Sequence, residues 1–144
     1  MQTTDQRNAG PRHEPGVRYR RLIEATRSIE PLRMAVVHPC DALSITGALE
    51  AKAQHLIDPV LVGPETKLRK AADDAGRSLD GIEIVDVPHS HAAAARAVEL
   101  ARTHKVRALM KGALHTDELM SAVVDAAGGL RTERRMSHVF ALDV

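Results

Sequence analysis

The amino-acid sequence predicts an α/β domain built on a parallel, possibly mixed, sheet with helices on both faces. Short apolar runs rich in Val, Ile and Leu alternate with longer amphipathic segments, which is the pattern of βαβ units. The runs are apolar nearly throughout, as expected of strands that helices cover on both sides. The chain has 144 residues, the usual size of one compact domain. We therefore expect consecutive strands joined by right-handed helical crossovers.

Five apolar runs are the predicted strands, and Pro or Gly turn signals follow the early ones. The runs are 33–37, 59–62, 82–87, 106–110 and 137–144. Helical periodicity predicts five helices at 17–29, from about 45 to 55, 65–75, 91–104 and from 116 to about 127. Ser90 and Thr116 are the predicted N-caps of the last two helices, and Gly76 is the predicted C-cap glycine of the third. Residues 1–16 have a composition typical of a disordered tail, so the predicted domain is 17–144.

Composition narrows the class of partner. Twenty basic residues nearly cancel nineteen acidic ones, for a formal charge of +1, and Tyr19 and Phe140 are the only aromatic residues. This balance favours neither nucleic acid nor a membrane surface as a partner. Cys40 is the single cysteine, which predicts no intramolecular disulfide and a reducing compartment. With no apolar run near the roughly 18 residues that span a bilayer, we expect a cytoplasmic protein acting on a small molecule.

The predicted ligand site lies beyond the carboxyl ends of the strands, where open parallel α/β sheets bind their ligands. The loop at 111–116 carries the most chemistry on that edge. Lys111 supplies a point charge, Gly112 permits close backbone approach, and Thr116 opens a helix whose free N–H groups can hold an anion. This composition favours a phosphate or pyrophosphate site. Turn formation and helix capping are the alternative explanation for the same residues.

Histidine and cysteine offer further candidates. His115 is the histidine that we keep as a ligand candidate, and the absence of CxxC or HExxH spacing predicts no metal site. Cys40 precedes a helix whose dipole could activate it as a nucleophile, with His38 as the only nearby base. The alternative is that Cys40 is a small, partly buried packing residue, and we prefer it.

Three later motifs resemble the phosphate acetyltransferase and phosphate butyryltransferase family: MKGALHTD at 110–117, GLRT at 129–132 and RMSHV at 135–139. Two earlier segments, 36–41 and 59–64, stand where that family places its first two strands. The resemblance covers about residues 32–144 in order, and it is to the N-terminal half of the family. It implies a fold similar to the first domain of the isocitrate and isopropylmalate dehydrogenase architecture, in which two α/β domains flank a cleft.

The resemblance implies the reaction of acyl-CoA with phosphate to give acyl phosphate and CoA, with no metal and no cofactor besides these substrates. In one direction the CoA thiolate would attack the acyl phosphate carbonyl. Matched residue by residue, the motifs assign substrate contacts to Lys111, Gly112, His115, Thr116, Arg131, Ser137 and His138. Met120 departs from the pattern, because many members carry a phosphate-binding arginine there.

Length is the larger departure from the family, whose enzymes are roughly twice as long. The serine, arginine and aspartate that the family uses in catalysis belong to the half not matched here, so the catalytic residues stay unassigned. We expect the chain alone to have little or no activity. An acyltransferase half-site that needs a complementary C-terminal half is the first hypothesis. A regulatory module that binds acyl-CoA or phosphate without turnover is the second, and an independent small α/β binding domain is the third.

Oligomerisation is a further expectation. A half-enzyme would expose the cleft face and an edge strand that its other half covers, and unpaired edges favour association. We therefore expect a homo-oligomer, with the final strand 138–144 as a candidate interface.

Overall fold

The computed structural model describes residues 16–137, 139 and 140, and divides the chain into two units. One unit comprises residues 1–28 and 137–144, and its described part contains helix α1. The other, 29–136, contains the sheet and the remaining helices. The elements are α1 (Val17–Thr26), β1 (Leu32–Val37), α2 (Ala42–Ala53), β2 (Ile57–Gly63), α3 (Glu65–Asp74), β3 (Glu83–Asp86), α4 (Ser90–Arg102), β4 (Ala108–Lys111) and α5 (Thr116–Val124).

The four strands form one sheet in the order β3-β2-β1-β4, and every pair is parallel. This arrangement confirms the predicted α/β class, and the described sheet contains no antiparallel strand. Register aligns the carboxyl ends, since Val37 is paired with Val62 of β2 on one side and with Lys111 of β4 on the other. The loops that follow β1, β2 and β4 therefore leave the sheet along one edge.

Two hydrophobic clusters lie on opposite faces of the sheet, because successive strand residues point to opposite sides. Val37 and Val62 belong to the cluster that includes α4 and α5. Val36 and Leu61 belong to the cluster that includes α2 and α3. Helices thus cover both faces, as the apolar strands predicted. No described helix has the length and apolar character needed to cross a bilayer.

The N-caps of α4 and α5 lie one residue before the predicted ones. His89, not Ser90, caps α4, and its ring nitrogen Nδ1 accepts a hydrogen bond from the Ala92 N–H at 3.1 Å. His115, not Thr116, is the N-cap of α5. The Ser90 prediction relied on the residue types that cap most helices, whereas the imidazole nitrogen of His89 accepts the same kind of bond.

Helix ends differ from prediction at one place and agree at another. Helix α5 ends at Val124 rather than near 127, because the Asp125 carboxylate accepts the N–H groups of Ala127 and Gly128 and turns the chain. Gly76 has φ +63° just after the α3 C-cap, so the predicted C-cap glycine is confirmed.

Two predictions concern the ends of the sequence, a fifth strand and a disordered N-terminal tail. For the fifth strand, 137–144, the described residues Ser137, Val139 and Phe140 belong to no strand, and the others lie outside the described residues. The predicted disordered tail also lies outside the described residues, apart from Gly16, which precedes α1.

Candidate functional site at the carboxyl edge of the sheet

The loops after β1 and β4 are joined by backbone hydrogen bonds at the carboxyl edge. The Gly112 N–H donates to the Val37 carbonyl at 2.9 Å, and the Ala113 N–H donates to the His38 carbonyl at 2.9 Å. The 111–116 loop is therefore a fixed extension of the sheet, held against a residue about 75 positions earlier in the chain.

His38 connects three of the strand ends. Its N–H donates to the Val62 carbonyl of β2 at 2.7 Å, and its carbonyl accepts from Cys40 at 2.8 Å as well as from Ala113. Its side-chain atom Nδ1 lies 2.9 Å from the carbonyl oxygen of Ala113. The backbone adopts φ 53°, a left-handed conformation that is unfavourable for a residue with a Cβ. From the sequence, His38 was expected only as a base near Cys40, and this connecting position was not predicted.

Gly112 makes a close backbone approach to strand β1 and the His38 loop, whereas its predicted approach to a bound anion stays a prediction. A Cβ built on Gly112 would lie 2.5 Å from the Val37 carbonyl oxygen and 2.8 Å from the carbonyl carbon and oxygen of His38. Any side chain at this position would push the two loops apart. The glycine is required by the contact between β1 and β4, whatever ligand the site takes.

Lys111 is exposed at the end of β4, and its Nζ lies 3.3 Å from the Gly112 carbonyl oxygen. Its positive charge also reaches the start of α2. There, hydrogen bonds from Ser44 lower the pKa of the Asp41 carboxyl below its usual value, and the Lys111 charge adds to the effect. Asp41 caps α2 by accepting the Ser44 N–H at 2.7 Å. The edge thus combines a fixed carboxylate with a nearby ammonium group.

The start of α5 is partly occupied by a carboxylate of the protein itself. The Glu118 side chain, which is 14% exposed, accepts the His115 N–H at 3.0 Å. It also accepts the Ser90 hydroxyl at 2.8 Å and lies 3.0 Å from Nδ1 of His91, both on α4. The Ser90 hydrogen bond, followed by the one from His115, holds the pKa of Glu118 below its usual value. An anion at this helix terminus would therefore share the N-terminal donors with Glu118, which modifies the simple anion-site prediction.

Replacing Glu118 with glutamine is expected to lower the free energy of unfolding at neutral pH, because the two carboxylate oxygens accept from Ser90 and His115 separately, and an amide offers only one acceptor oxygen. A lowered folded-state pKa stabilises the fold above the unfolded carboxyl pKa, about 4.3, and that stabilisation disappears as pH falls through the folded value. Urea unfolding at pH 7 and at acid pH measures the difference between wild type and Glu118→Gln, which should shrink on acidification.

Asp117→Asn is the matched control for that measurement. Asp117 shares the first turn of α5 with Glu118 and is exposed. The control should show only the small loss expected for a charge near a helix terminus. Equal effects of the two substitutions at both pH values would contradict a specific role for the Glu118 hydrogen bonds.

Cys40 does not have the chemistry of a nucleophile in this structure. Burial raises the pKa of its thiol to about 11, which the Lys67 charge opposes only in part. The thiol therefore stays protonated at neutral pH, and only a thiolate would attack. Cys40 packs at the edge of the cluster around α2 and α3, which supports the alternative of a partly buried packing residue.

The structure brings only some of the predicted site residues together. Lys111, Gly112, His115 and Thr116 lie in one loop and the helix start that follows it. Arg131 lines a separate surface cleft of about 610 Å³, whose other lining residues are Val124, Leu130, Thr132, Glu133, Arg134, Arg135 and Met136. Ser137 belongs to the other unit, and His138 lies outside the described residues. Within the described part of the chain, no group of three or more His, Cys, Asp or Glu side chains could hold a metal ion.

Sequence comparison supplies the family. The chain is 55% identical over 127 residues to the phosphate acetyltransferase of Rhizobium meliloti, a match that covers 88% of this chain and 40% of that protein. The chain belongs to the phosphate acetyltransferase and phosphate butyryltransferase family. The phosphate butyryltransferase of Clostridium acetobutylicum is 32% identical over 121 residues, 84% of this chain and 40% of that protein. No family model matches the chain.

The sequence match covers only part of each relative. The chain spans about two fifths of the length of these curated relatives, which agrees with the resemblance to one half of the family. Among solved structures, the EutD phosphotransacetylase from Staphylococcus aureus is similar with a TM-score of 0.59. That likeness covers 80% of this chain and 44% of the other at 14% identity, and shows the fold alone.

Proposed function

We propose that this chain forms one half of a phosphate acyltransferase site, for the reaction of acyl-CoA and phosphate to acyl phosphate and CoA. The observation that carries this proposal is the 55% identity over 127 residues to a phosphate acetyltransferase. Acyl-CoA, CoA and phosphate are the proposed ligands, with no further cofactor and a cytoplasmic location. Lys111, Gly112, His115 and Thr116 are the proposed substrate contacts at the carboxyl edge, and Arg131, Ser137 and His138 are proposed on the family resemblance.

The chemistry at the described edge supports a binding role more than a complete catalytic one. Lys111 offers a cation to a phosphate or to the oxyanion that develops during acyl transfer. Gly112 and the His38 backbone hold that cation on rigid strand ends, which favours precise positioning. A complete site must also deprotonate the CoA thiol. Cys40 stays protonated, and the Glu118 carboxylate already accepts hydrogen bonds from Ser90 and His115 and lies beside His91. We therefore propose that a complementary half supplies the missing groups and that the chain alone turns over little or no substrate.

Acyl transfer from acetyl phosphate to CoA, followed as thioester formation, tests this function. The purified chain, the full-length Rhizobium meliloti relative, and the chain mixed with the remainder of that relative would be compared. We expect near-background turnover from the chain alone and a rise of at least tenfold in the mixture. Lys111→Ala should reduce that gain, while an exposed substitution far from the edge, Lys70→Ala on α3, should not.

Each other outcome has a definite meaning. Turnover by the chain alone at the level of the full-length relative would contradict the half-site proposal and leave the acyltransferase reaction in place. Saturable binding of acetyl-CoA, combined with a mixture that never turns over, would favour the regulatory binding module. Light scattering on the same samples tests the proposed homo-oligomer, and a monomer at high concentration would contradict it.

A further inference from the structure

His38 has a backbone conformation that no helix end explains. Three described histidines have positive φ: His38 at 53°, His55 at 59° and His104 at 58°. His55 and His104 directly follow the C-caps of α2 and α4, where a left-handed residue commonly ends a helix. His38 instead follows strand β1 at the carboxyl edge. Strained conformations of this kind persist only where the surroundings hold them, and they concentrate at functional sites.

The contact with Ala113 fixes the tautomer of the His38 ring. A backbone carbonyl oxygen can only accept a hydrogen bond, so Nδ1 must carry the proton in the 2.9 Å contact. In the neutral ring the other nitrogen, Nε2, is then an unprotonated acceptor. When the ring is protonated, Nε2 becomes a charged donor, and the Ala113 carbonyl still accepts from Nδ1.

The Nε2 atom of His38 is unpartnered among the described residues and is not fully buried. It has no hydrogen-bond partner among the described residues, since Nδ1 makes the one side-chain contact of this ring. No buried side-chain nitrogen or oxygen in the described part of the chain lacks a partner. His38 is half-buried, so an unpartnered Nε2 that is not fully buried keeps some contact with solvent. The ring thus presents one oriented nitrogen at the carboxyl edge.

The charges around this edge favour an anion over a cation. The positive charge of Lys111 on β4 lowers the pKa of Asp41, and that of Lys67 on α3 opposes the burial-driven rise in the pKa of Cys40. Asp41 and Cys40 both lie within three positions of His38. Asp41 is the negative group nearby, and its carboxylate is already bonded to the N–H and hydroxyl of Ser44. Two ammonium groups therefore flank the His38 loop.

We propose that Nε2 of His38 binds a phosphate oxygen of the acyl-transfer substrates, with the Ala113 carbonyl holding the ring in place. This assignment rests on the proposed function, because the substrates of that reaction carry the phosphate groups. Neutral Nε2 accepts a hydrogen bond from a protonated phosphate oxygen, and protonated Nε2 donates one to a charged oxygen. His38 is thus a binding residue at the end of β1 that works beside Lys111 of β4.

The test is calorimetric titration of the full chain with inorganic phosphate, with CoA and with CoA that lacks its 3′-phosphate. His38→Asn is the informative variant, because the amide N–H replaces Nδ1–H toward Ala113 and asparagine tolerates positive φ. It lacks an equivalent of Nε2. His55→Asn is the matched control, since it makes the same exchange at a left-handed histidine that ends α2. Urea unfolding of each variant reports whether the fold is kept.

We expect His38→Asn to weaken phosphate binding about tenfold, which is the loss typical of one charge-assisted hydrogen bond. His55→Asn should bind as wild type does. The three ligands distinguish the source of the phosphate. If His38→Asn binds inorganic phosphate more weakly than wild type, the transferred phosphate lies at His38. If it binds only CoA more weakly, and CoA that lacks its 3′-phosphate equally well, the nucleotide phosphate lies there.

Equal binding by wild type and His38→Asn, or no phosphate or CoA binding by the wild-type chain, would overturn the His38 assignment. Either result would leave the half-site function standing, since that is judged by turnover in the complemented mixture. If His38→Asn fails to fold, ¹⁵N NMR of wild-type imidazoles takes its place. A His38 Nε2 resonance that stays unchanged at saturating phosphate would then overturn the assignment.

Discussion

Replacing Gly112 with alanine is expected to lower the free energy of unfolding by about 3 kcal/mol, at the upper end for overpacking a tight contact. The added Cβ would meet the Val37 carbonyl oxygen at 2.5 Å and the His38 carbonyl group at 2.8 Å. All three obstructing atoms are backbone, so no side chain can rotate away. Relief requires that β4 move from β1, which lengthens the hydrogen bond between the Gly112 N–H and Val37.

Urea unfolding measures this loss, and Gly47→Ala is its control. Gly47 lies inside α2, and a Cβ built there meets nothing within 4 Å. The same change of glycine to alanine should therefore raise the free energy of unfolding by about 0.5–1 kcal/mol through helix propensity. Opposite signs at the two sites would show that the contact, rather than backbone entropy, decides the outcome. A Gly112→Ala chain as stable as wild type would contradict the described approach of β4 to β1.

Gly112 illustrates which part of the candidate site could be predicted from the sequence. A glycine after an apolar run, followed by a helix start, predicted close backbone approach at this loop, but to a bound anion rather than to a neighbouring strand. The identity of the partner was beyond the sequence, because Val37 and His38 lie about 75 positions away. The contact arises from the pairing of β1 with β4, and a single sequence indicates where strands lie far more directly than which strands pair.

His38 and Glu118 were harder to predict for a different reason. A positive φ is expected at glycine or asparagine, so a histidine gave no signal of the left-handed conformation. Nothing in the sequence around Glu118 indicates that its side chain joins α5 to Ser90 and His91 at the start of α4. Both interactions depend on tertiary neighbours. The alternating apolar runs, by contrast, carry their own burial pattern, and the fold class follows from them.

Replacing Leu61 with alanine is expected to lower the free energy of unfolding by about 3 kcal/mol, within the range for large-to-small changes in a packed core. Leu61 is fully buried in β2, with β1 and β3 on either side, and faces the cluster that contains Ile45 and Leu68. The truncated side chain loses its burial and leaves a cavity between the sheet and the helices α2 and α3. The strands fix the spacing on one side, so the site can collapse only in part.

Chemical denaturation of Leu61→Ala beside Leu43→Ala separates burial from residue type. Leu43 is 85% exposed on α2 and should change stability by less than about 0.5 kcal/mol when truncated. Leu61 lies one position before Val62, whose carbonyl holds the His38 N–H. A cavity on the α2 and α3 face should therefore also loosen the His38 loop, which would weaken the phosphate binding proposed there even at temperatures where the variant stays folded. Unchanged stability of Leu61→Ala would contradict the two-faced packing on which the placement of the site depends.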